Sequence, residues 1–227
     1  MFERENHQSQ DLIEEGTPGY HKTVGRIVEK VTPPNLDSEI SILLQKKILS
    51  RLSSDEDARL GELSENTPFF EFVPPMKTVH REINSQNENC LLVAKELNGC
   101  MAVLIFSETV DGKRRVVLSH QPPDLASDGY FQELGSLVEQ NMDGAQRTHA
   151  VVYGSKKRGE STVGKTADWL KRFSSKGDIT VDDPLFYQEG EDKNHMGLLI
   201  VQISGKQEIP ATFSTLQIPK NVVLPSL

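Results

Sequence analysis

Two residues of complementary chemistry, Cys100 and His120, have the spacing expected for a pair that cooperates across a β-hairpin. Asn98-Gly99 places Cys100 at the start of an apolar strand, and His120 ends the strand that returns from a loop near Asp111. If these strands pair around that loop, the two side chains lie opposite each other or nearly so, and directly opposed Cβ atoms are about 4.5–5.5 Å apart. At that distance an imidazolium lowers the pKa of a thiol and then shuttles the proton, so the pattern predicts a nucleophilic cysteine.

The same two residues also have a purely structural interpretation. A cysteine is most often a small buried hydrophobe, and a slip of one residue in strand register would turn one of the two side chains to the other face. Cys90 serves as an internal comparison, because it precedes a strand without a turn glycine. We expect Cys90 to be structural.

The sequence GESTVGKT, residues 159–166, matches the phosphate-binding loop pattern G-x-x-x-x-G-K-[ST]. A working loop follows its strand directly, whereas Gly154 to Arg158 separate the strand-like run 148–153 from Gly159. Too little chain follows for the further parallel strands and the acidic magnesium partner of a nucleotidase. We therefore interpret the segment as a helix entrance with a solvated Lys165, and a nucleotide-binding protein stays open as a third alternative.

Composition restricts the possible partners. The 227-residue chain has a formal net charge of -8, which argues against nucleic acid or an anionic membrane as the main partner. The sequence has no apolar run of the length needed to span a bilayer, and its first residues lack the order of a secretory signal. Two cysteines without paired spacing favour a reducing compartment. We predict a soluble, cytoplasmic protein. The six histidines show no close pairing, so we predict neither a metal nor a cofactor.

The hydrophobic pattern predicts an α+β fold with a mixed or antiparallel sheet core, built as a meander of β-hairpins with helices packed on it. Asn98-Gly99 favours a tight hairpin turn between the first two strands of the meander. A helix capped by Asp128 is expected to carry one apolar stripe. The other predicted elements are strands at 91–97, 100–107, 114–120, 148–153, 178–188 and 196–203, and a helix at about 165–173.

The chain divides into four segments by composition. A helix is expected after Asp37, and the acidic stretch 53–67 is expected to be a loop. The predicted segments are a disordered leader (1–20), an extension with one amphipathic helix (21–85), the main domain (86–208) and a C-terminal tail (209–227).

The order of short motifs in the main domain resembles one known superfamily. The motifs are Gly99-Cys100 before an apolar strand, His120 at a strand end, Gly154 after a later strand, Val163-Gly164-Lys165-Thr166 at a helix start, and Met196-Gly197 in a strand that runs to Ser204-Gly205. This order is similar to that of the cysteine deamidases, over about residues 90–208. The superfamily includes the bacterial chemoreceptor glutamine deamidases (CheD-like) and the catalytic domains of cytotoxic necrotizing factor-type toxins.

The resemblance implies a three-layer-like deamidase fold and a specific reaction. Cys100 would attack the carboxamide of a glutamine on a protein substrate, and His120 would act as the general base and then the general acid. Ammonia would leave, and water would hydrolyse the thioester. A non-catalytic protein-interaction module on the same fold stays open as the alternative.

Two departures from the superfamily leave the third catalytic group and the substrate open. Ala94 stands where the chemoreceptor enzymes have a catalytic threonine, and toxin-type members use a backbone carbonyl in that role. Ser119 and Asn98 are local candidates. The segment from Lys156 to Arg158 is basic where the chemoreceptor enzymes have small residues.

Overall fold

The computed structural model describes most of the region from the first predicted helix onward. The described residues are 3–4, 38–48, 52–64, 70–84, 88–122, 128–175, 179–187, 195–206 and 211–219. Their helices are α1 (Ser38–Ile48), α2 (Ser54–Ser64), α3 (Asp128–Met142) and α4 (Lys156–Lys171), followed by a 3₁₀ turn (Arg172–Ser175). Their strands are β1 (Glu3–Arg4), β2 (Phe70–Phe72), β3 (Lys77–Ile83), β4 (Asn89–Leu97), β5 (Met101–Thr109), β6 (Arg114–Gln121), β7 (Ala145–Ser155), β8 (Ile179–Val181), β9 (Leu185–Tyr187), β10 (His195–Ser204) and β11 (Thr212–Pro219).

The strands form two sheets that pack face to face. The first sheet has the order β1-β11-β10-β4-β2, and the second has the order β3-β6-β5-β7-β8, with β9 also paired to β7. Alternate residues of β4 and β5, such as Leu92 and Leu104, meet in one apolar cluster between the sheets. The intervening residues of β5, such as Val103, face the outer side of the second sheet. Because β5 is buried on both faces, its first six residues, 101–106, are a continuous apolar run.

Helices cover the outer faces of both sheets. Leu134 of α3 and Leu170 of α4 belong to the cluster that covers the outer face of the second sheet. On the other side, Lys95 of β4 donates a hydrogen bond of 3.4 Å to the carbonyl of Lys47 in α1. The predicted α+β class with a mixed and antiparallel sheet core and packed helices is therefore confirmed.

The turn at Asn98-Gly99 differs from its prediction. Gly99 has a positive φ of 77°, as the pattern required, but β4 and β5 do not pair and belong to different sheets. The turn carries the chain from one sheet to the other. A positive φ reverses the chain equally well within a sheet and between sheets, so the dipeptide alone could not distinguish the two.

The segment that matches a phosphate-binding loop lies inside a helix. Residues 159–166 fall within α4, which begins at Lys156 directly after β7 and nine residues before the predicted start. Thr166 is buried within the helix and donates to the carbonyl of Thr162 at 2.8 Å. The backbone amides therefore bond within the helix and do not converge on a phosphate.

The sheets include strands from both sides of the predicted 86–208 domain. β2 pairs with β4, β3 pairs with β6, and β11 pairs with β10. Glu3 and Arg4, within the predicted leader, pair parallel to β11; residues 5–37, which contain the rest of that leader, lie outside the described residues. The division into four segments stays a prediction, but the core that would carry the chemistry uses residues of the extension and of the tail.

The stretch predicted as a loop at 53–67 contains α2. Ser53 and Glu56 form a reciprocal capping box: the Ser53 amide donates to the Glu56 carboxylate at 3.0 Å, and the Glu56 amide donates to Ser53 Oγ at 3.3 Å. A hydrogen bond from Lys46 and the bond from the Ser53 amide lower the pKa of Glu56. Within the described part of the chain, no helix combines the length and hydropathy needed to cross a membrane.

Candidate functional site

Cys100 lies in a short connection that belongs to neither sheet. β4 ends at Leu97 and β5 begins at Met101, so residues 98–100 make no ladder pairing. Cys100 is partly exposed, and its thiol lies 3.9 Å from the carbonyl oxygen of Asn98. Cys100 is thus a partly exposed cysteine that directly precedes the central strand β5.

His120 lies diagonally across the sheet from this cysteine. The β5–β6 register places Ala102 directly opposite His120, so Cys100 is two residues away from the opposed position that the sequence predicted. Cys100 packs against the inter-sheet cluster that contains Ala102, the residue that pairs with His120.

A backbone carbonyl orients the His120 ring. Nδ1 of the fully buried His120 lies 2.9 Å from the carbonyl oxygen of Val73. Because a carbonyl only accepts hydrogen bonds, Nδ1 carries the proton in this bond. In the neutral ring the lone pair is then on Nε2, which is the nitrogen able to accept a proton.

Two main-chain hydrogen bonds hold the turn that supplies this carbonyl. The Val73 amide donates to the Val93 carbonyl at 2.9 Å, and the Met76 amide donates to the His120 carbonyl at 2.8 Å. Between them, Pro74 and Pro75 restrict the backbone. The chain therefore bonds to both the ring and the main chain of His120.

Met76 closes the turn in an uncommon backbone conformation. Its φ is 64°, and it is the one non-glycine residue with a positive φ in the described part of the chain. Its side chain is 63% exposed. A bulky residue in the left-handed region costs about 1–2 kcal/mol relative to the ordinary conformations.

A tyrosine holds the main chain of Cys100 from the opposite side. The Tyr187 hydroxyl, from β9, donates to the Cys100 carbonyl at 2.9 Å. The Tyr187 ring packs edge-on against Tyr153, with centroids 5.4 Å apart. A Cβ on Gly197 would lie 2.6 Å from Tyr187 Cδ1, so this position must be glycine for the ring to fit.

Gly154 has a similar packing role beside the same connection. A Cβ at this position would lie 2.4 Å from Val163 Cγ2 and 3.1 Å from Met101 Cβ. The missing side chain lets α4 pack closely against the start of β5. Gly154 and Gly197 are two of the glycines on which the superfamily resemblance rests. Both allow side chains to pack closely beside Cys100.

The local candidates for a third group lie elsewhere. Ser119 adjoins His120 in sequence but faces the other side of the sheet, where its Oγ lies 2.9 Å from Thr78 Oγ1. Ala94 is buried in the inter-sheet core. Asn98 contributes its backbone carbonyl near the thiol. The Val73 carbonyl and the Tyr187 hydroxyl were not found from sequence, because a main-chain oxygen has no side-chain signature and Tyr187 resembles any strand residue.

Cys90 differs from Cys100 in its burial and in its position within a strand. It lies within β4, is 4% exposed, and packs in the inter-sheet cluster. Burial raises the pKa of its thiol to about 12. Such a thiol is inert at neutral pH, which favours the structural role expected for it.

The described residues do not include a group of three or more His, Cys, Asp or Glu side chains arranged to bind a metal ion. His149 pairs with Asp182 at 2.8 Å, away from the Cys100 connection, at the sheet edge formed by β8.

Comparisons with known proteins give little further information. No family model matches the chain, and no curated protein matches it. Among solved structures, the chain is similar to the C-terminal domain of CNFy from Yersinia pseudotuberculosis, with a TM-score of 0.33 and 10% identity over 66% of this chain and 62% of that chain. The chain thus spans less than two thirds of that structure. A similarity of this size carries no argument about chemistry, so membership of the deamidase superfamily stays a prediction.

Proposed function

We propose that the protein is a cysteine-dependent amidohydrolase that deamidates a glutamine side chain on a protein substrate. The observation that supports this most is the hydrogen bond of 2.9 Å from His120 Nδ1 to the Val73 carbonyl, on the sheet face that Cys100 shares. It fixes the ring and leaves Nε2 as the basic nitrogen. A backbone carbonyl in this position is also what the resemblance to toxin-type deamidases implies.

The reaction needs only groups that these elements supply. Cys100 Sγ attacks the carboxamide carbon and forms a C–S bond, while His120 takes up the thiol proton. His120 then protonates the leaving nitrogen, the C–N bond breaks, and ammonia departs. In the second half, His120 removes a proton from water, a C–O bond forms, and the C–S bond of the thioester breaks. Glutamate is the product.

A glutamine carried by a protein is the substrate that we propose. Cys100 is partly exposed in a surface connection, and the exposed Met76 closes the turn that orients His120. A protein segment can reach such a position with an extended glutamine side chain. This is the basis for proposing a protein-bound glutamine as the substrate.

The proposal can be tested without knowing the substrate, because a thioester reacts with amines as well as with water. Incubation of a cell lysate with the protein and a biotin-bearing primary amine should attach the amine to glutamines of the substrate. Mass spectrometry locates these glutamines, and the same sites should show deamidation when the amine is omitted.

Matched variants make this test decisive. Cys100→Ser and His120→Asn should each abolish labelling and deamidation, whereas Cys90→Ser should retain both. Labelling that persists in Cys100→Ser would overturn the proposal. The absence of any Cys100-dependent labelling would favour the non-catalytic interaction module.

A further inference from the structure

We propose that Tyr187 is a positioning residue for Cys100: its hydroxyl fixes the cysteine in the orientation in which His120 can activate it. This inference deepens the proposed function and rests on it. Tyr187 does not touch the reacting atoms. It acts through the Cys100 carbonyl, to which its hydroxyl donates at 2.9 Å.

The connection that carries Cys100 needs such support. Residues 98–100 lie between the end of β4 and the start of β5, in different sheets, so ladder hydrogen bonds hold neither Asn98 nor Cys100. Gly99 adds a residue of high intrinsic backbone freedom. The peptide unit after Cys100 consists of the Met101 amide, which belongs to β5 where Met101 pairs with Gln121, and of the Cys100 carbonyl, which the Tyr187 hydroxyl holds.

The donor itself is immobile. The Tyr187 side chain is fully buried and packs on Tyr153. The absence of a side chain at Gly197 gives the ring its space, since a Cβ there would overlap Cδ1. β9 pairs in parallel with β7, which places Tyr187 opposite Ser155 at the end of the sheet where β5 begins.

The consequence for the thiol is geometric. The peptide unit after Cys100 can rotate only if this hydrogen bond breaks, and its rotation changes the direction of the Cys100 side chain relative to the sheet. His120 pairs with Ala102 and not with Cys100. The sulfur therefore reaches the ring only when the Cys100 side chain points toward it. Small displacements of reacting groups have large effects on rate.

Tyr187→Phe removes the hydroxyl and keeps the ring, and Tyr130→Phe is the matched control. Tyr130 is also buried but belongs to the cluster on the helix-covered face of the same sheet. Both changes are made in a Cys90→Ser background, so that Cys100 is the one remaining thiol. The first measurement is amide hydrogen exchange of residues 98–101, and the second is the rate of alkylation of Cys100 by iodoacetamide from pH 6 to pH 10.

Tyr187→Phe should speed exchange in this connection and slow alkylation at neutral pH by about two- to tenfold, the factor that corresponds to one neutral hydrogen bond. The two alkylation rates should converge at high pH, where the thiol ionises without help. Tyr130→Phe should change neither quantity. If glutamine deamidation is detected, Tyr187→Phe should lower kcat by a similar factor and leave KM within about twofold.

Unchanged exchange or unchanged or faster alkylation in Tyr187→Phe would overturn the inference. If that variant fails to fold, Gly197→Ala keeps the hydroxyl but displaces the ring that carries it away from the Cys100 carbonyl, and the same two measurements decide. Failure of the proposed function has a different signature: His120→Asn would then leave alkylation of Cys100 unchanged, whatever Tyr187→Phe does.

Discussion

His120 Nδ1 and the Val73 carbonyl oxygen lie 2.9 Å apart, although the two residues are 47 positions apart in the chain. The bond joins the end of β6 to the turn between β2 and β3. The turn contributes main-chain groups to both of its bonds with His120: the Val73 carbonyl accepts from the ring, and the Met76 amide donates to the His120 carbonyl. The ring orientation therefore depends on the conformation of this turn.

Replacing Met76 should separate the stability of the turn from its role at the site. Met76→Gly removes the Cβ penalty at a positive φ but increases the conformational entropy of the unfolded chain, so the net gain should be about 0.5–1 kcal/mol of unfolding free energy. Denaturant unfolding measures the gain. Val110→Gly, at an exposed position without a positive φ, is the control and should be destabilising. A destabilised Met76→Gly would mean that the methionine side chain stabilises the fold.

The phosphate-loop interpretation and the helix interpretation make opposite predictions at Gly164. Gly164 lies inside α4, and a Cβ there would meet nothing within 4 Å. Gly164→Ala should therefore stabilise the protein by up to about 1 kcal/mol through helix propensity. In a working phosphate loop, this glycine is needed and the substitution would abolish nucleotide binding. Thermal unfolding with and without Mg·ATP distinguishes the two cases.

Gly154→Ala is the contrasting variant, because Gly154 is closely packed whereas Gly164 is not. The added Cβ would lie 2.4 Å from Val163 Cγ2, so α4 must move away from the sheet. We expect a loss of about 1–3 kcal/mol, the usual cost of overpacking. Equal stabilities for the two alanine variants would contradict the packing described here.

The buried thiol of Cys90 should make stability fall at alkaline pH. Burial raises its pKa from 9.0 to about 12, so the unfolded chain loses this proton at a lower pH than the folded protein does. Its contribution is fully present below pH 9 and is lost as the pH rises toward 12, with a slope of up to about 1.4 kcal/mol per pH unit. Urea unfolding of the parent and of Cys90→Ala between pH 8 and pH 11 should show a shallower decline in the variant. Parallel declines would show that burial does not raise the pKa of Cys90 in the folded protein above its value in the unfolded chain.

The sequence was informative where local patterns decide the structure. The stripe of α3, with Leu134 and Val138 buried, follows from helical spacing, and the hairpin between β5 and β6 follows from its loop. The spacing of Ser53 and Glu56 is that of a capping box, but the acidic composition of the stretch led to the prediction of a loop.

The remaining features depend on contacts between distant segments. Asn98-Gly99 is compatible both with a hairpin and with a crossing between sheets. The pairing of β4 with β10 makes it a crossing, because it places β4 in the first sheet. The Val73 carbonyl belongs to a turn that the prediction placed outside the main domain. The partners of Cys100 and His120 could not be found from sequence, because they are a main-chain oxygen and a tyrosine of a three-residue strand.

The most direct test of the central claim, that His120 activates Cys100, is the alkylation rate of Cys100 at neutral pH in the Cys90→Ser background. His120→Asn is the informative variant, because an asparagine amide can still donate to the Val73 carbonyl while Nε2 is lost. If the pair cooperates, this variant should react with iodoacetamide at least about tenfold more slowly than the parent near pH 7, and the difference should vanish at high pH. Equal rates at neutral pH, in a variant with unchanged folding, would contradict the account.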